Sequence, residues 1–398
     1  MQIRILSLIV CVMFLTGYVN VSSVEICNKG EDYVIYVDDD GGADYTKIQD
    51  AIDNSSNGDT IFVFNGLYYE QVIINKTINL IGEEKNITII DGYIKINSVY
   101  VNITGFTIQN SSWGLGGFYI TASYCNIREN IIINCGDGIA LVKNTSFNVI
   151  TDNIITDNYR RGITCWSAFS LNNIIQGNII TNNWYDGIRL KGKNNNISDN
   201  IISNNDVGIY LLVYDSYNNT IYDNTINNNK REGINLESAG NYLYKNYINN
   251  NGQKGIILDS SSNNTISGNI ITNHKYGISL SWISENNTIN LNTISKNYYG
   301  IWMVESSNNN FVFNNNFIKN NLGLYISGSI ENSIKSNNFR KNTLHAFFIN
   351  CNNTLWNGNY WSRPRLLPKP IFGLKIQKKL WTPYINNDMN PAKEPYDI

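Results

Sequence analysis

A Gly-Ile dipeptide returns along this chain at nearly constant intervals, and this spacing constrains the fold more than any other feature. The shortest step between two of its glycines is 21 residues, from position 187 to 208, and the longest is 25, from 162 to 187. A period of roughly 20 to 50 residues is the signature of a repeat architecture. The dipeptide, which becomes Gly-Leu in its last copy, begins at Gly138, Gly162, Gly187, Gly208, Gly233, Gly255, Gly277, Gly300 and Gly323.

The residues after each glycine alternate between apolar and polar side chains. Ile188 and Leu190, for example, flank Arg189. A period of two predicts a strand with its apolar side chains on one face. A second short strand follows later in the unit, and helix-period stripes are absent from the repeat. The pattern predicts an all-β fold, a single-stranded right-handed parallel β-helix of roughly a dozen coils, ~60 Å long at one strand spacing per coil.

Asparagine is the compositional outlier, and it fills the corners between the predicted strands. Asn tolerates the left-handed backbone conformation and bonds its own backbone in turns. Coils stacked about 4.8 Å apart place Asn above Asn, so that side-chain amides can donate and accept along the stack. This predicts a structural ladder of Asn153, Asn178, Asn200, Asn224, Asn246, Asn269 and Asn292. A second row, four residues further on, holds Asn182, Asn204, Asn228, Asn250 and Asn273.

The two ends of the chain differ from the repeats. Residues 1–23 hold a short apolar run before small polar residues, which predicts a secretory signal peptide, and no later run is long enough to span a membrane. Residues 24–58 are predicted to form a strand and a short helix that caps the first coil, with Ile48, Ala51 and Ile52 as its apolar stripe. Residues 59–360 are predicted to form the coils. Residues 361–398, rich in proline and containing Trp361 and Trp381, form either a C-terminal cap or an exposed tail.

Composition excludes several classes of function. A net charge of −2 with 16% charged residues provides no basic surface for nucleic acid. The cysteine spacings match no zinc pattern, and His274 and His345 have no evident nucleophile partner. The acidic run Asp38–Asp40 could bind calcium but lacks the spaced oxygen ligands of a loop site, so no metal or cofactor is predicted. Sequons that could carry glycans include Asn75, Asn102, Asn144, Asn218, Asn263 and Asn286. The sequence does not indicate an oligomeric state.

Several stretches resemble a known family. DYTKIQDAI, GDTIFVFNGLYYEQVIINKTINLIGE and VNITGFTIQN, followed by serial Asn-x-Ile and Gly-Ile units, resemble secreted right-handed parallel β-helix proteins of the NosD-like/CASH group, of the archaeal surface type. The resemblance spans about residues 33–361 and implies a pectin-lyase-like solenoid at the cell surface.

Two activities are not carried over from such resemblances. NosD is associated with copper-site maturation, but copper is bound by His, Met or Cys, and this chain has two His and four Met with no cluster of them. The opening segment is also similar to that of pectin methylesterases. Their catalytic Gln, paired Asp and Arg motifs have no match here, so esterase activity is not expected.

One flank of the predicted solenoid is the candidate binding surface, because outward residues of successive coils line up there. Sugar rings stack on aromatic side chains, and acidic sugars pair with Arg and Lys. The alternative is a solvated face whose Tyr and Trp cover apolar area. The predicted ligand-binding flank contains Trp166, Tyr210, Lys254, Tyr276, Tyr299, Trp302 and Tyr325.

The same flank contains candidate catalytic residues. Glycoside hydrolysis needs two carboxyl groups roughly 5 to 10 Å apart, which adjacent coils can supply. The candidate carboxylates are Asp186, Asp206 and Glu232, and Arg189 and Arg231 could bind an acidic sugar. We expect first a non-catalytic secreted or surface protein that binds a glycan or another envelope component. The alternatives are a polysaccharide-active lyase, hydrolase or epimerase, and a NosD-like accessory role in copper handling.

Overall fold

A computed structural model describes residues 33–112, 114, 116–212, 216–365, 367–377 and 380–398. The predicted signal peptide lies outside these ranges. Within them the chain winds into a parallel β-helix, and each full coil contributes one strand to each of three sheets. The described residues contain one helix, Ile48–Asn54, which with seven residues is too short to cross a membrane.

The strands of each sheet follow one another coil by coil. The described strands of sheet A are Val34–Val37, Thr60–Val63, Asn79–Gly82, Asn102–Thr104, Asn126–Arg128, Val149–Thr151, Ile174–Gln176, Asn196–Ser198, Thr220–Tyr222, Tyr242–Tyr244, Thr265–Ser267, Thr288–Asn290, Phe311–Phe313, Ser333–Lys335 and Leu355–Asn357. Those of sheet B are Gly66–Tyr68, Thr88–Asp91, Thr107–Gln109, Ile131–Ile133, Ile154–Thr156, Ile179–Thr181, Ile201–Ser203, Thr225–Asn227, Tyr247–Asn249, Ile270–Thr272, Thr293–Ser295, Asn316–Ile318, Asn338–Arg340 and Tyr360–Trp361. Those of sheet C are Gln71–Ile74, Tyr93–Ile96, Gly116–Ile120, Asp137–Leu141, Ile163–Cys165, Ile188–Leu190, Ile209–Leu211, Glu232–Leu236, Lys254–Asp259, Tyr276–Ser281, Tyr299–Met303, Leu322–Ser327, Leu344–Ile349, Lys369–Gln377 and Leu380–Asp388.

The predicted fold is confirmed, and the Gly-Ile dipeptide marks sheet C. Ile188 pairs in parallel register with Ile209, which pairs with Ile234, and all three side chains are completely buried. The expected dozen coils is too few, since 15 strands of sheet A stack among the described residues. Counting the Gly-Ile dipeptides underestimates the number of coils, because early strands of sheet C such as Gln71–Ile74 and Tyr93–Ile96 lack the dipeptide.

The asparagines form hydrogen-bonded columns inside the corners. The backbone N and the Nδ2 of Asn200 both donate to Oδ1 of Asn224 at 3.0 Å, and its Nδ2 also donates to the carbonyl of Ile175 at 2.9 Å. The predicted row continues this pattern from coil to coil. Each of its members is buried and bonded to the next, from Asn153 through Asn178, Asn200, Asn224, Asn246 and Asn269 to Asn292.

The second expected row is displaced by one residue. Asn182 and Asn228 are exposed and occupy the left-handed region, with φ of 57° and 55°. The buried column between sheets B and C consists of the residues that follow them, such as Asn183 and Asn229. A left-handed corner residue turns its side chain outward, so the next side chain points inward. His274 occupies one position of this buried column, between Asn251 and Asn297.

Both ends of the stack are closed. At the N-terminal end the Ile48–Asn54 helix buries Ile48, Ala51 and Ile52, and the Glu70 carboxylate accepts hydrogen bonds from the free backbone N–H groups of Ile48 and Gln49. At the other end Asp388 is fully buried and accepts hydrogen bonds from the backbone N and Nδ2 of Asn359 at 2.9 and 3.0 Å. Asp388 thus takes the place of the next asparagine.

We expect Asn224→Asp to destabilise the fold strongly. The carboxylate would bury a charge and could no longer donate to the carbonyl of Ile197 or to Oδ1 of Asn246. The free energy of unfolding from urea titrations should fall by roughly 3 kcal/mol. Asn228→Asp is the matched control, because that position is exposed and Asp tolerates the left-handed conformation. If both variants lost the same free energy of unfolding, the buried column would contribute no more to stability than the exposed corner position.

We expect His274 to make the fold sensitive to acid. Asn251 Nδ2 lies 3.2 Å from His274 Nε2, and His274 Nδ1 lies 3.3 Å from Asn297 Oδ1, contacts that the neutral ring satisfies. Burial lowers the pKa of His274 from 6.5 to about 4, so the unfolded chain takes up its proton first as the pH falls. This contribution to stability is therefore complete above pH 6.5 and decreases toward pH 4, by about 1.4 kcal/mol per pH unit.

The test compares wild type with His274→Asn in urea titrations at pH 7 and pH 5. The variant should lose less stability between the two values, because Asn restores the column and carries no titrating group. His345, whose pKa burial also lowers to about 4, remains in both proteins, so its contribution cancels in the difference. An identical loss in both proteins would show that His274 does not stay neutral in the fold.

Candidate functional site

The outward positions of sheet C carry the candidate site. In each coil the second residue after the landmark glycine points away from the core, since side chains alternate along a strand. Arg189 holds this position and pairs in register with Thr164 on one side and Tyr210 on the other. Charged residues just before the glycines lie beside this column. Strand alternation and the stacking of coils therefore place these charged side chains close to one another.

Five of these residues form what we call the arginine–aspartate cluster: Asp137, Arg160, Arg161, Asp186 and Arg189. Arg160 Nη1 lies 3.4 Å from Asp137 Oδ2, and Arg161 Nη1 lies 3.6 Å from Asp137 Oδ1. Arg161 Nε and Arg189 Nη1 approach Asp186 Oδ2 at 3.6 and 3.5 Å. Opposite charges therefore alternate across three coils.

A second group of charges continues the cluster on the next coils. Arg231 Nη2 and Nε each lie 2.9 Å from Asp206 Oδ2, and Arg231 Nε lies 3.9 Å from Glu232 Oε2. Glu232 pairs in register with Lys254. The Asp206 carboxylate also raises the pKa of Asp186, so the two groups are close enough to interact.

Burial alters the protonation of the carboxyl groups. It raises the pKa of Asp186 to about 6, although Arg189 and Arg161 act in the opposite direction. It also raises the pKa of Asp137 and of Glu232, again against the neighbouring cations, and lowers the pKa of Arg161. Desolvation thus exceeds the Coulomb attraction at this face, and Asp186 can change protonation near neutral pH.

Several buried polar atoms of this face make no hydrogen bond within the described part of the chain. Arg161 is only 8% exposed, and its Nε and Nη1 reach carboxylates at ion-pair distance but not at hydrogen-bond distance. Such atoms are costly to leave unsatisfied, so they mark places where water or a ligand can bind. The other atoms of this kind near the cluster are Thr164 Oγ1, Arg189 Nε, Glu232 Oε2 and Asn235 Oδ1.

Exposed aromatic rings border the cluster. The Arg161 guanidinium lies 4.8 Å from the ring centroid of Trp166 and 6.0 Å from that of Tyr185. Trp166 and Tyr185 nevertheless remain 43% and 47% exposed. Arg189 in turn lies 4.9 Å from the ring of Tyr210. Arginine and aromatic side chains therefore interleave, with ring surface still open to solvent.

The remaining aromatic residues of the predicted flank stack on one another. Tyr276 and Tyr299 stack with centroids 5.3 Å apart, and Trp302 and Tyr325 stack at 4.1 Å. Trp302 meets Tyr299 edge-on at 4.5 Å. Rings stacked along the solenoid axis cover each other's faces, so they offer a sugar mainly their edges. This part of the flank is better suited to stabilising the sheet than to stacking on a ligand.

The structure brings most of the candidate catalytic residues together, but each contacts an ion partner. Asp186 meets Arg189, and Arg231 meets both Asp206 and Glu232. The selection from sequence left out Asp137, Arg160, Arg161 and Tyr185. Asp137 could have been found, because it precedes Gly138 as Asp186 precedes Gly187.

The side chains that could bind a metal are dispersed. His274 lies within the buried amide column, and His345 contacts Asn342 and Ser362. Met303 and the four described cysteines are buried, and those cysteines are free thiols. Within the described ranges the one group of three potential ligand residues is Asp38–Asp40, whose oxygens suit hard cations rather than copper.

Comparison with known proteins gives a family match over most of the coils. The family model described as "Periplasmic copper-binding protein (NosD)" matches residues 52–231 and 213–366. A cell surface glycoprotein of Methanothermus fervidus is 34% identical in an alignment of 199 positions that covers 40% of this chain. The match spans 33% of that relative's own length.

Solved structures share the fold at low identity. The A-module of the mannuronan C-5 epimerase AlgE4 from Azotobacter vinelandii is 18% identical, with a TM-score of 0.60 over 70% of this chain and 94% of that module. The Dettilon tailspike protein is 18% identical, with a TM-score of 0.59 over 79% of this chain and 68% of its own. The alginate lyase AlyGC is 13% identical, with a TM-score of 0.55 over 88% of this chain and 55% of the lyase. These likenesses show a shared parallel β-helix.

Proposed function

This chain belongs to the NosD family of parallel β-helix proteins, and we propose that it is a secreted or cell-surface protein that binds a glycan on the outer face of sheet C. A surface or glycan-related role fits the relative that is named a cell surface glycoprotein. It also fits solved neighbours whose names include a mannuronan epimerase and an alginate lyase.

The observation that carries the proposal is the buried guanidinium of Arg161. Two of its nitrogens lack hydrogen-bond acceptors among the described residues, although it sits between two buried carboxylates. A sugar hydroxyl can both accept from such nitrogens and donate to a carboxylate. The face would then bind a hydroxyl-rich ligand at the place where its own polar groups are incompletely satisfied.

The charges and aromatic rings of this face limit the class of glycan that it can bind. The four arginines Arg160, Arg161, Arg189 and Arg231 are matched by the four carboxylates Asp137, Asp186, Asp206 and Glu232, so the face has no large excess of either sign. A polyanion gains little from such a balance, whereas a neutral or sparsely charged glycan exploits it. Trp166 and Tyr185 supply aromatic surface for its sugar rings.

The copper in the family's description is not carried over to this chain. The described histidines are held in hydrogen bonds of the coils, and the described cysteines are buried singly. A copper site needs such ligands to converge, and in the described residues they do not fit one.

Trp166→Ala combined with Tyr185→Ala should weaken glycan binding about tenfold or more, because each of the two lost ring contacts costs about 0.5 to 1.5 kcal/mol. The purified chain is first screened on mannan, dextran, alginate and polygalacturonate, and the affinity for the polysaccharides it binds is measured by affinity electrophoresis. Trp282→Ala is the matched control, since Trp282 is 63% exposed and follows a sheet C strand as Trp166 does. If the double variant and the control bound with equal affinity, the glycan would not bind at the arginine–aspartate cluster.

A second candidate function, a polysaccharide-active enzyme, is favoured by Asp186. A carboxyl group with a pKa of about 6 can donate or accept a proton near neutral pH, and Arg161 and Arg189 could neutralise charge that develops on a sugar. Epimerases, lyases and hydrolases all need such a proton transfer.

If the chain is an enzyme, Asp186→Asn should abolish product formation while polysaccharide binding remains. Products from each bound polysaccharide are separated by chromatography and compared with those from Asp259→Asn, which changes a carboxylate of the same sheet outside the cluster. The pH dependence of the rate should have an inflection near 6, where Asp186 titrates. A folded Asp186→Asn protein with full activity would exclude Asp186 as the group that transfers the proton. The absence of product from every bound polysaccharide would leave glycan binding as the function.

A further inference from the structure

The last two strands of sheet C form a hairpin that extends beyond the coils. Lys369–Gln377 pairs antiparallel with Leu380–Asp388 over nine residue pairs. Toward the coils, the hairpin pairs with strand Leu344–Ile349 at two positions, Phe348 with Gly373 and Ile349 with Leu374. All six residues of Leu380–Ile385 are exposed, and successive side chains of a strand point to opposite faces, so both faces of this stretch are open to solvent.

This hairpin exposes large apolar side chains. Leu380 and Trp381 are 69% and 60% exposed, and Phe372 and Ile385 are exposed to a similar extent. Leu367, just before the first strand, is also exposed. Scattered exposed apolar residues are normal, but several of them on one projecting element indicate a surface that a partner covers.

The same segment is strongly basic. Between Arg363 and Asn387 the sequence has six Lys or Arg and no Asp or Glu. The described cations Arg363, Arg365 and Lys369 have no carboxylate within ion-pair distance in the described part of the chain. All three stand within seven residues of the sequence, and burial lowers the pKa of Lys369, which Arg365 and Arg363 lower further. The Nε of Arg365 is buried without a hydrogen-bond partner.

We propose that this basic hairpin docks on an anionic lipid surface, with Arg363, Arg365 and Lys369 on the headgroups and Leu380 and Trp381 in the interface. Lys369 lies opposite Asp388 at the base of the hairpin, and Leu380 and Trp381 lie next to its turn, so the hairpin would contact the surface along its length. Cations together with Trp and aliphatic side chains on one element are the combination that lipid interfaces select. A soluble polyanion would satisfy the cations but leave the apolar side chains exposed. This inference is independent of the glycan site, which lies on other coils of the sheet, and it supplies a means of surface attachment.

The test measures flotation of the purified chain with vesicles of phosphatidylcholine alone and of phosphatidylcholine mixed equally with phosphatidylglycerol. We expect binding to the anionic vesicles, weakened but not abolished at about 1 M salt, where charge attraction is screened. Leu380→Ser with Trp381→Ser, and separately Arg363→Gln with Lys369→Gln, should each reduce binding roughly tenfold or more. Circular dichroism and the melting temperature check that the variants are folded.

Matched control variants remove equivalent groups elsewhere. Trp282→Ser with Ile283→Ser removes an adjacent exposed pair, and Lys245→Gln with Lys296→Gln removes two exposed cations from the coils; both should bind like wild type. Binding that is equal for all variants, or absent from anionic vesicles, would overturn the proposal. So would a change of oligomeric state in the hairpin variants by sedimentation velocity, which would identify a second copy as the partner. Full binding of Leu380→Ser/Trp381→Ser protein to vesicles, with competition by dextran sulfate, would identify a soluble polyanion instead.

Discussion

The hydrogen bond from one asparagine amide to the amide of the next coil is the interaction on which this structure depends. Each Oδ1 accepts from both the backbone N and the Nδ2 of the preceding coil, as Asn224 does from Asn200, while Nδ2 also satisfies a corner carbonyl. A buried corner would otherwise leave these backbone groups without partners. The buried Ile and Leu side chains fix which face of each strand points inward. The amide column supplies hydrogen-bond partners to the backbone groups of the turns, which would be costly to bury without them.

One consequence is that the outer face of sheet C is free to vary. The coils are held by inward Ile and Leu and by corner Asn, so an outward residue can be Ser279, Trp302 or Arg189 without changing the register. Against this background the arginine–aspartate cluster stands out, because it buries charge where the fold requires none. Buried charges lower stability unless they are fully paired. Their presence with incompletely satisfied atoms therefore supports the proposal that this face binds a ligand.

The sequence predicts the fold well because its strongest signals are periodic. The alternation around Arg189 fixes strand, face and register together. It does not reveal the third strand of each coil, since strands such as Thr220–Tyr222 have only three residues and bury only one side chain, which is too short a pattern to recognise. It also cannot say which member of the Asn182-Asn183 pair points inward, because both have the same chemistry and only the backbone φ distinguishes them.

The candidate site was harder to predict for a different reason. The column of outward residues follows from the repeat, which is how Arg189 and Tyr210 were selected. Arg161 lies one residue before a landmark glycine, and its importance depends on how a long side chain folds back between Asp137 and Asp186 over Trp166. The repeat does not set the direction of this side chain, because the residue just before the landmark glycine changes from coil to coil. Asp388 illustrates the same limit, since it ends the amide column from a segment with no repeat at all. Because that one carboxylate also accepts from Trp361 Nε1 at 3.1 Å, it fixes the end of the hairpin's second strand, Leu380–Asp388, to the last coil. The exposed side chains of the hairpin are thus presented from a rigid base and not from a loose tail.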